Sequence, residues 1–283
     1  MVNIEALNTL INNAFIEDVG TGDHSTLSTI TATAKGNAVL KIKQNCMLAG
    51  MQIAEYIFKY KEPNCIFTPL KTDGDFVVFG EQAFTVAAHV HTILTCERLV
   101  LNIMQRMSAI ATLTNKYVVL LQGYNTKLLD TRKTTPNFRL LEKEAVRIGG
   151  GTNHRFGLYD MIMLKDNHID YCGGIAKALQ QAKNYITTNN LNLKIEVETR
   201  NLKDVAEALA TKIPDRIMLD NFTPTLVAEA VKIINGECET EASGGINLET
   251  IQAYAAAGVT YISVGGLIHQ AQSVDLSLKA III

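Results

Sequence analysis

The residues of this sequence that could do chemistry gather where predicted strands end. One strand leads into Arg132 and Lys133, a later strand leads into Lys165, and the loop between them adds His154 and Arg155. Grouped guanidinium and ammonium groups suit a ligand with several carboxylates or phosphates, because a guanidinium can donate two parallel hydrogen bonds to a planar anion. The sequence therefore predicts a site for a polyanion.

Two carboxylates follow at the next two predicted strand ends, Glu198 and Asp220. Mg²⁺ usually takes one or two protein carboxylates together with substrate phosphates, so the pair indicates a divalent cation beside a phosphorylated sugar. Glu196 lies on the same face of its strand as Glu198, and the sequence alone does not choose between them. The pair could also be structural, with lysines as partners at the rim of the fold.

Glycine pairs mark the last two predicted strand ends. Ser243 precedes Gly244 and Gly245, and Gly265 precedes Gly266. Barrels that bind phosphate use this location, where backbone N–H groups and a helix N-terminus act as donors. One such pair could be an ordinary tight turn, but two pairs at consecutive strand ends favour a phosphate cradle.

The elements that must position these residues alternate between strand and helix. Strands are predicted at 126–130, 160–164, 193–198, 216–220, 238–242 and 260–264, and helices at 201–211, 224–234 and 248–256. The last four strand ends fall near Glu198, Asp220, Ser243 and Gly265, so they are spaced by 22, 23 and 22 residues, a regularity typical of parallel βα units. Six units are fewer than the eight of a closed barrel, so we expect an incomplete, open parallel α/β barrel.

The first hundred residues have a different pattern. They predict a helix at 4–16 and strands at 37–43, 65–70, 75–79 and 83–91, followed by one long helix or two in sequence from Cys96 to Leu121. We therefore predict an α/β fold with an N-terminal α/β sandwich domain over residues 1–105 and the barrel domain over 106–269. The C-terminal tail, about 270–283, should pack back on the first domain.

The composition excludes several classes of protein. A formal net charge of −2 gives no long-range attraction to nucleic acid or to an anionic membrane. The N-terminus lacks the pattern of a secretory signal, and no apolar run approaches the roughly 20 residues of a membrane helix. Five scattered cysteines without a CxxC pair suggest reduced thiols, so we expect a cytoplasmic protein.

One segment carries a family resemblance, DTRKTTPNFRLLEKEAVRIGGGTNHRFGLYDMIMLKDNHI, residues 130–169. It resembles the quinolinate phosphoribosyltransferases, and EDVGTGDHST, ERLVLNIMQRMSAIAT, IEVET, IMLDNF, ASGGIN and ISVGGLIH extend the likeness over nearly the whole chain. Asn137 stands where glycine is common in that family. The resemblance implies transfer of a phosphoribosyl group from phosphoribosyl pyrophosphate to quinolinate, giving nicotinate mononucleotide, pyrophosphate and CO₂ in de novo NAD biosynthesis.

The resemblance also implies a role for each matching residue. Quinolinate would be held by Arg132, His154, Arg155 and Lys165, with Arg98 reaching in from a partner subunit of a homodimer or a hexamer built from dimers. Lys133 would meet the pyrophosphate, while Glu198 and Asp220 would hold Mg²⁺ and the ribose hydroxyls. The 5′-phosphate would lie against Ser243, Gly244, Gly245 and Gly265, with His269 nearby. Lys133, Lys165, Glu198 and Asp220 are the expected catalytic residues.

Other functions compete with this one. A related phosphoribosyltransferase of molybdenum-transport operons has a similar sequence, and a barrel aldolase or decarboxylase could use Lys165 as a Schiff-base nucleophile. A non-catalytic phosphosugar-binding protein is a third alternative. The cationic residues argue against the third, because a phosphosugar binder needs no separate cluster for a dicarboxylate.

Overall fold

The protein was analysed as a computed structural model that describes residues 3–282. It divides into two compact units. Unit 1 contains the described residues up to Asn115, the segment Thr134–Gly150 and the described residues from Leu267 onward, and unit 2 contains Lys116–Lys133 and Gly151–Gly266. The domain boundary predicted between residues 105 and 106 stays a prediction.

The strands and helices are numbered in chain order. The strands are β1 (Lys35–Ile42), β2 (Cys46–Met47), β3 (Ile66–Pro69), β4 (Phe76–Val77), β5 (Gln82–His89), β6 (Lys127–Leu129), β7 (Ile162–Leu164), β8 (Ile195–Thr199), β9 (Arg216–Asp220), β10 (Glu239–Ser243), β11 (Tyr261–Ser263) and β12 (Leu276–Ile281). The helices are α1 (Ile4–Val19), α2 (His24–Thr29), α3 (Met51–Lys61), α4 (Val90–Leu120), α5 (Arg139–Ile148), α6 (Asp166–Cys172), α7 (Ile175–Thr188), α8 (Leu202–Ala210), α9 (Pro224–Ile234), α10 (Ile251–Ala256) and α11 (Gly266–His269).

Unit 1 is built on a four-stranded antiparallel sheet in the order β12-β1-β5-β3. Alternate residues of β5 are buried, as the period of two in its sequence predicts. Phe84 packs edge-on against Phe58 of α3, with ring centroids 6.1 Å apart, and both side chains are fully buried. β12 pairs with β1 along its whole length, from Leu276 opposite Ile42 to Ile281 opposite Asn37.

The long helix α4 follows β5 without a break. Its 31 residues contain neither glycine nor proline, so nothing in the sequence interrupts the helical hydrogen bonds. The prediction of a helix in this region is confirmed as one element, although it begins six residues earlier than expected, at Val90 instead of Cys96. The strand pairing ends at His89, which faces Lys35, and the helix starts at the next residue.

Unit 2 is built on six parallel strands in the order β6-β11-β10-β9-β8-β7. Within the described residues β6 and β7 form no ladder with each other, so the barrel is open, as predicted. The chain between these two strands passes through α5, which belongs to unit 1. All six predicted strands are present at the predicted positions within a few residues.

The sequence of β9 shows why these strands are buried. Ile217, Met218 and Leu219 are all buried, as expected for a strand of a parallel sheet covered on both faces.

Among the described residues, no helix combines the length and the apolar character required to cross a membrane.

Candidate active site

The parallel strands of unit 2 all end at the same edge of the sheet, because parallel strands share one direction. The residues at or just beyond these ends are Asp130, Arg132 and Lys133 after β6, Lys165 after β7, Glu198 in β8, Asp220 in β9, Ser243 in β10 and Gly265 after β11. We use the term mouth for five charged residues of this edge and of the neighbouring loop, Arg132, Arg155, Lys165, Glu198 and Asp220.

Two arginines of the mouth lie close to each other. Partial burial lowers the pKa of Arg155 below its ordinary value, and the positive charge of Arg132 lowers that pKa further. Arg155 donates from Nη1 to the backbone oxygen of Met161 at 3.3 Å, while its buried Nε has no hydrogen-bond partner among the described residues. Two neighbouring cations with an unsatisfied buried donor form a site that an anion would stabilise.

Asp130 joins the two segments that carry these arginines. This fully buried carboxylate accepts hydrogen bonds from the backbone N–H of His154 at 2.8 Å and from Nδ2 of Asn153 at 2.6 Å. Thr152, one residue earlier, forms a parallel bridge with Leu129 at the end of β6. The loop that bears Arg155 is therefore fixed beside the strand end that leads to Arg132.

The two carboxylates of the mouth also lie together. Burial raises the pKa of Glu198 above its ordinary value, and the negative charge of Asp220 raises it further, while Lys165 opposes the change. Oδ2 of Asp220 accepts a hydrogen bond from Nδ2 of Asn221 at 2.6 Å. A half-buried carboxylate pair beside a lysine is a suitable donor set for a hard divalent cation, which would relieve the repulsion between the two charges.

The imidazole of His154 faces the inside of unit 2. Its Nε2 lies 3.1 Å from Glu196 and 3.2 Å from Glu241, and both carboxylates are fully buried. Its Nδ1 lies 2.6 Å from the backbone N–H of Arg155. Both ring nitrogens are therefore engaged within the unit, and the ring would have to exchange one of these partners to bind a substrate carboxylate directly.

Three influences act on the charge of His154, namely burial, the two glutamates and the backbone N–H of Arg155. Burial favours the neutral ring, but hydrogen bonds to Glu196 and Glu241 outweigh burial and raise the pKa of His154 to about 9. The contact of the Arg155 N–H with Nδ1 opposes this rise, because a protonated Nδ1 could not accept that hydrogen bond. In either charge state Nε2 carries the hydrogen that faces the carboxylates.

Arg216 completes a buried group of charges. Its Nη1 lies 3.0 Å from Glu241 and 3.6 Å from Glu196, its Nη2 lies 3.1 Å from Glu239, and its guanidinium lies 4.1 Å from the ring centre of Tyr261. We use the term interior network for these charged or chargeable residues, His154, Glu196, Arg216, Glu239 and Glu241. This network distinguishes Glu196, which lies inside it, from Glu198, which lies beside Asp220.

Ligand atoms of His154, Glu196 and Glu241 lie within 4.8 Å of one another, a spacing that a metal ion could use. Arg216 already supplies a positive charge to both carboxylates at this point. We therefore interpret these residues as an ion-pair network and assign no metal to them.

The glycine turn after β10 is required by close packing. A Cβ atom added to Gly244 would lie 2.2 Å from Oδ1 of Asn221, and Gly244 has a φ of +99°. Asn221 is itself left-handed, with φ of 58°, and donates its backbone N–H to the Ser243 oxygen at 2.8 Å. The ends of β9 and β10 are thus joined by this hydrogen bond and by the close packing of Gly244 on Asn221.

Gly245 also has positive φ, with no atom within 4 Å of an added Cβ, so its surface is open to a ligand.

Four of the predicted site residues with charged or chargeable side chains are exposed, and one of them is Lys165 of the mouth. Lys133 is exposed at the end of its unit 2 segment, and Arg98 on α4 and His269 at the end of α11 are exposed in unit 1. Their predicted roles stay predictions. The structure adds residues that the sequence analysis did not select, namely Asp130, Arg216, Glu239 and Glu241. It places Glu196, which the sequence left as the alternative to Glu198, beside His154 and Arg216. A charged residue at the start of an apolar strand, such as Arg216 before Ile217, was the available signal.

Comparison with protein families gives two matches that together cover most of the chain. The model of the quinolinate phosphoribosyl transferase N-terminal domain matches residues 23–108, and the model of the C-terminal domain matches residues 110–279.

Individual relatives agree with the family models. The chain is 41% identical over 289 residues to the chloroplastic nicotinate-nucleotide pyrophosphorylase [carboxylating] of Arabidopsis thaliana, covering 96% of this chain and 82% of that protein. It is 42% identical over 272 residues to the probable nicotinate-nucleotide pyrophosphorylase [carboxylating] of Bacillus subtilis (strain 168), covering 96% of this chain and 92% of that protein.

Solved structures show the same fold. NadC from Streptococcus pyogenes superposes with a TM-score of 0.92 at 37% identity, covering 99% of both chains. The nicotinate-nucleotide pyrophosphorylase of Francisella tularensis gives a TM-score of 0.91 at 39% identity, covering 99% of this chain and 98% of that one.

Proposed function

Because the chain belongs to the quinolinate phosphoribosyltransferase family, we infer that it transfers a phosphoribosyl group from phosphoribosyl pyrophosphate to quinolinate with decarboxylation. This is a step of NAD biosynthesis and makes the protein a pentosyltransferase. The observation that carries the inference is the match of both family domains over almost the whole chain. The comparisons give no support to the molybdenum-operon relative or to the Schiff-base aldolase.

We propose that the arginines and lysine of the mouth hold the two carboxylates of quinolinate. The unsatisfied Nε of Arg155 and the neighbouring charge of Arg132 support this assignment, because an anion would satisfy both. Lys165 and Arg98 of the partner subunit would complete the set. His154 would act through its backbone, since its N–H and Asp130 fix the loop that carries Arg155.

The sugar donor would lie against the glycine turns. Ser243, Gly244 and Gly245, together with Gly265, would receive the 5′-phosphate, with His269 close by in the sequence. Lys133 would meet the pyrophosphate as it leaves. The positive φ and open surface of Gly245 support a phosphate here, since a backbone without Cβ lets an anion approach closely.

Glu198 and Asp220 are the residues that would hold Mg²⁺. The raised pKa of Glu198, caused by burial and by Asp220, supports this role because a cation would favour the ionised form of both groups. When bound, Mg²⁺ would neutralise negative charge on the donor's pyrophosphate. The same carboxylates would orient the ribose hydroxyls.

The reaction then needs positioned charges and no covalent enzyme intermediate. The pyridine nitrogen forms a bond to the anomeric carbon of the ribose while the bond from that carbon to pyrophosphate breaks, and Lys133 stabilises the departing charge. The bond to the carboxylate next to the alkylated nitrogen breaks afterwards, leaving its electron pair on the ring carbon as CO₂ departs. The positive nitrogen stabilises that electron pair until it forms a bond from the ring carbon to a proton supplied by water, in the position that the carboxylate has left.

A turnover assay tests the proposed function. The purified protein, given quinolinate, phosphoribosyl pyrophosphate and Mg²⁺, should release CO₂, pyrophosphate and nicotinate mononucleotide in equal amounts. The same assay with nicotinate in place of quinolinate should give no product. Turnover of nicotinate without turnover of quinolinate would overturn the assignment.

We also propose a homodimer, or a hexamer of dimers, whose sites are shared between subunits. A subunit with Arg98→Ala mixed with a subunit with Lys165→Ala should regain part of the activity, because one hybrid site would be intact. Proven subunit exchange without recovery would contradict sharing. The cytoplasmic location expected from the sequence stays a prediction.

A further inference from the structure

A fully buried carboxylate of unit 1 lies outside the site described above. Glu142 of α5 has no exposed surface, and its side-chain oxygens accept hydrogen bonds from Arg106 and Thr135. Arg106 of α4 donates to Oε1 from Nε at 3.0 Å and from Nη2 at 2.8 Å. Such charge-assisted hydrogen bonds are among the strongest that side chains form.

The same arginine also fixes a segment near the C-terminal end of the chain. Arg106 donates from Nη2 to the backbone oxygen of Ile268 at 2.9 Å and from Nη1 to the backbone oxygen of Ala271 at 3.1 Å. His269, the residue expected to lie near the 5′-phosphate, is between these two carbonyl groups. One guanidinium therefore holds both sides of His269.

Glu142 holds a second segment. The backbone N–H of Thr135 donates to Oε2 at 2.8 Å, and the Thr135 hydroxyl donates to Oε1 at 3.0 Å. Thr135 follows Lys133, the residue expected to meet the pyrophosphate, by two positions. The Arg106–Glu142 ion pair is thus bonded to the backbone on both sides of His269 and to Thr135, two residues after Lys133.

We propose that Arg106 and Glu142 are positioning residues for the sugar donor, which hold the segments bearing Lys133 and His269 in their binding conformation. This proposal rests on the proposed function, because it needs the donor to be a phosphorylated sugar pyrophosphate. The ion pair itself touches no substrate. It lowers the cost of binding by fixing the two segments before the donor arrives.

The test is Glu142→Gln, which preserves the shape of the side chain. The new amide NH₂ group must face an N–H or O–H group of Arg106 or Thr135. At least one hydrogen bond is therefore lost, because two hydrogen-bonding hydrogens then point at each other. We expect the KM for phosphoribosyl pyrophosphate to rise by about tenfold or more, because small displacements of positioned groups have large effects on rate and binding. The KM for quinolinate should change by less than about threefold, because Asp130, and not the Arg106–Glu142 ion pair, fixes the loop that carries Arg155.

Two control variants on the same helix separate positioning from stability. Glu144→Gln removes an exposed ion pair with Arg147 and should leave both KM values unchanged. Leu141→Ala removes a fully buried apolar side chain, which forms no hydrogen bond to either segment. This variant should lower thermal stability without raising the KM for phosphoribosyl pyrophosphate more than the KM for quinolinate. A donor KM for Glu142→Gln equal to that of the wild type, or a similar rise for Leu141→Ala, would overturn the proposal.

A milder variant keeps the test decisive if Glu142→Gln does not fold. Thr135→Val removes only the hydroxyl bond to Glu142 and should raise the donor KM by about threefold, with quinolinate unaffected. An unchanged donor KM in this variant would also count against the positioning role. Wild-type protein that fails to turn over quinolinate would instead remove the proposed function, so the two failures are distinguishable.

Discussion

Unit 2 carries charged residues at two depths, and the two groups differ in how far neighbouring residues offset their charges. At the mouth, Arg155 lies beside another cation and Glu198 beside another anion, so each group is destabilised by its neighbour. In the interior network, the positive charge of Arg216 lies close to the carboxylates of Glu196 and Glu241. At the mouth Lys165 only partly offsets the repulsion between Glu198 and Asp220, so a bound ligand would stabilise these charges further. In the interior, burial and Glu241 raise the pKa of Glu196, but His154 and Arg216 oppose that rise from within the network. The comparison distinguishes a binding site from a structural ion-pair network within one sheet.

The largest expected effect comes from removing the cation of the interior network. Arg216→Met would leave Glu196 and Glu241 buried without their arginine, and we expect a loss of about 3–5 kcal/mol in the free energy of unfolding. Urea denaturation would measure it. The control is Arg200→Met, because Arg200 forms exposed ion pairs with Asp170 and Asp204 and its loss should change stability by less than about 1 kcal/mol. Equal losses for both variants would remove the distinction between the two depths.

Removing a charge from the mouth should not lower the free energy of unfolding. Glu198→Gln removes a charge that is disfavoured by burial and by Asp220, so the free energy of unfolding should stay the same or increase. Activity should fall by about a hundredfold, and the Mg²⁺ concentration needed for half-maximal rate should rise, because one carboxylate ligand is lost. Glu249→Gln, at an exposed position, is the control. A variant with lower stability and normal Mg²⁺ dependence would place Glu198 among the structural charges.

The smallest expected effect is a pH dependence from Glu239, at the edge of the interior network. Partial burial opposes ionisation, but the hydrogen bonds and charge of Arg216 hold the pKa of this carboxyl below its ordinary value of 4.5. The stabilisation is therefore complete above pH 4.5 and is lost as the pH falls through the lower, folded-state pKa. Unfolding free energies of the wild type and Glu239→Gln, measured from pH 6 to pH 3, should converge at the acid end. Parallel curves would contradict the coupling to Arg216.

The sequence predicted the mouth better than the interior, for a physical reason. Chemistry in parallel sheets collects at the strand ends, so the repeated spacing of strand and helix was enough to select Arg132, Lys165, Glu198 and Asp220. The open barrel followed from the number of units, and the structure confirms it.

The interior network could not be predicted because it depends on strand register. Arg216 lies opposite Glu196 on one side and Glu239 on the other, which are residues 20 and 23 positions away in the sequence. The burial of His154 depends on Asp130, which binds the backbone of the loop at a distance of 24 residues. The sequence also could not predict that the chain passes from β6 into α5 of unit 1, because the spacing of the strands does not show where an intervening helix packs.

The central claim is that the two arginines of the mouth bind the dicarboxylate and not the sugar donor. Isothermal titration calorimetry of Arg132→Ala and Arg155→Ala, with quinolinate and with phosphoribosyl pyrophosphate plus Mg²⁺, tests it most directly. We predict that quinolinate affinity falls by about a hundredfold in each variant while donor affinity changes by less than about threefold, because each arginine supplies charged hydrogen bonds to one ligand only. Equal losses of affinity for both ligands would contradict the claim.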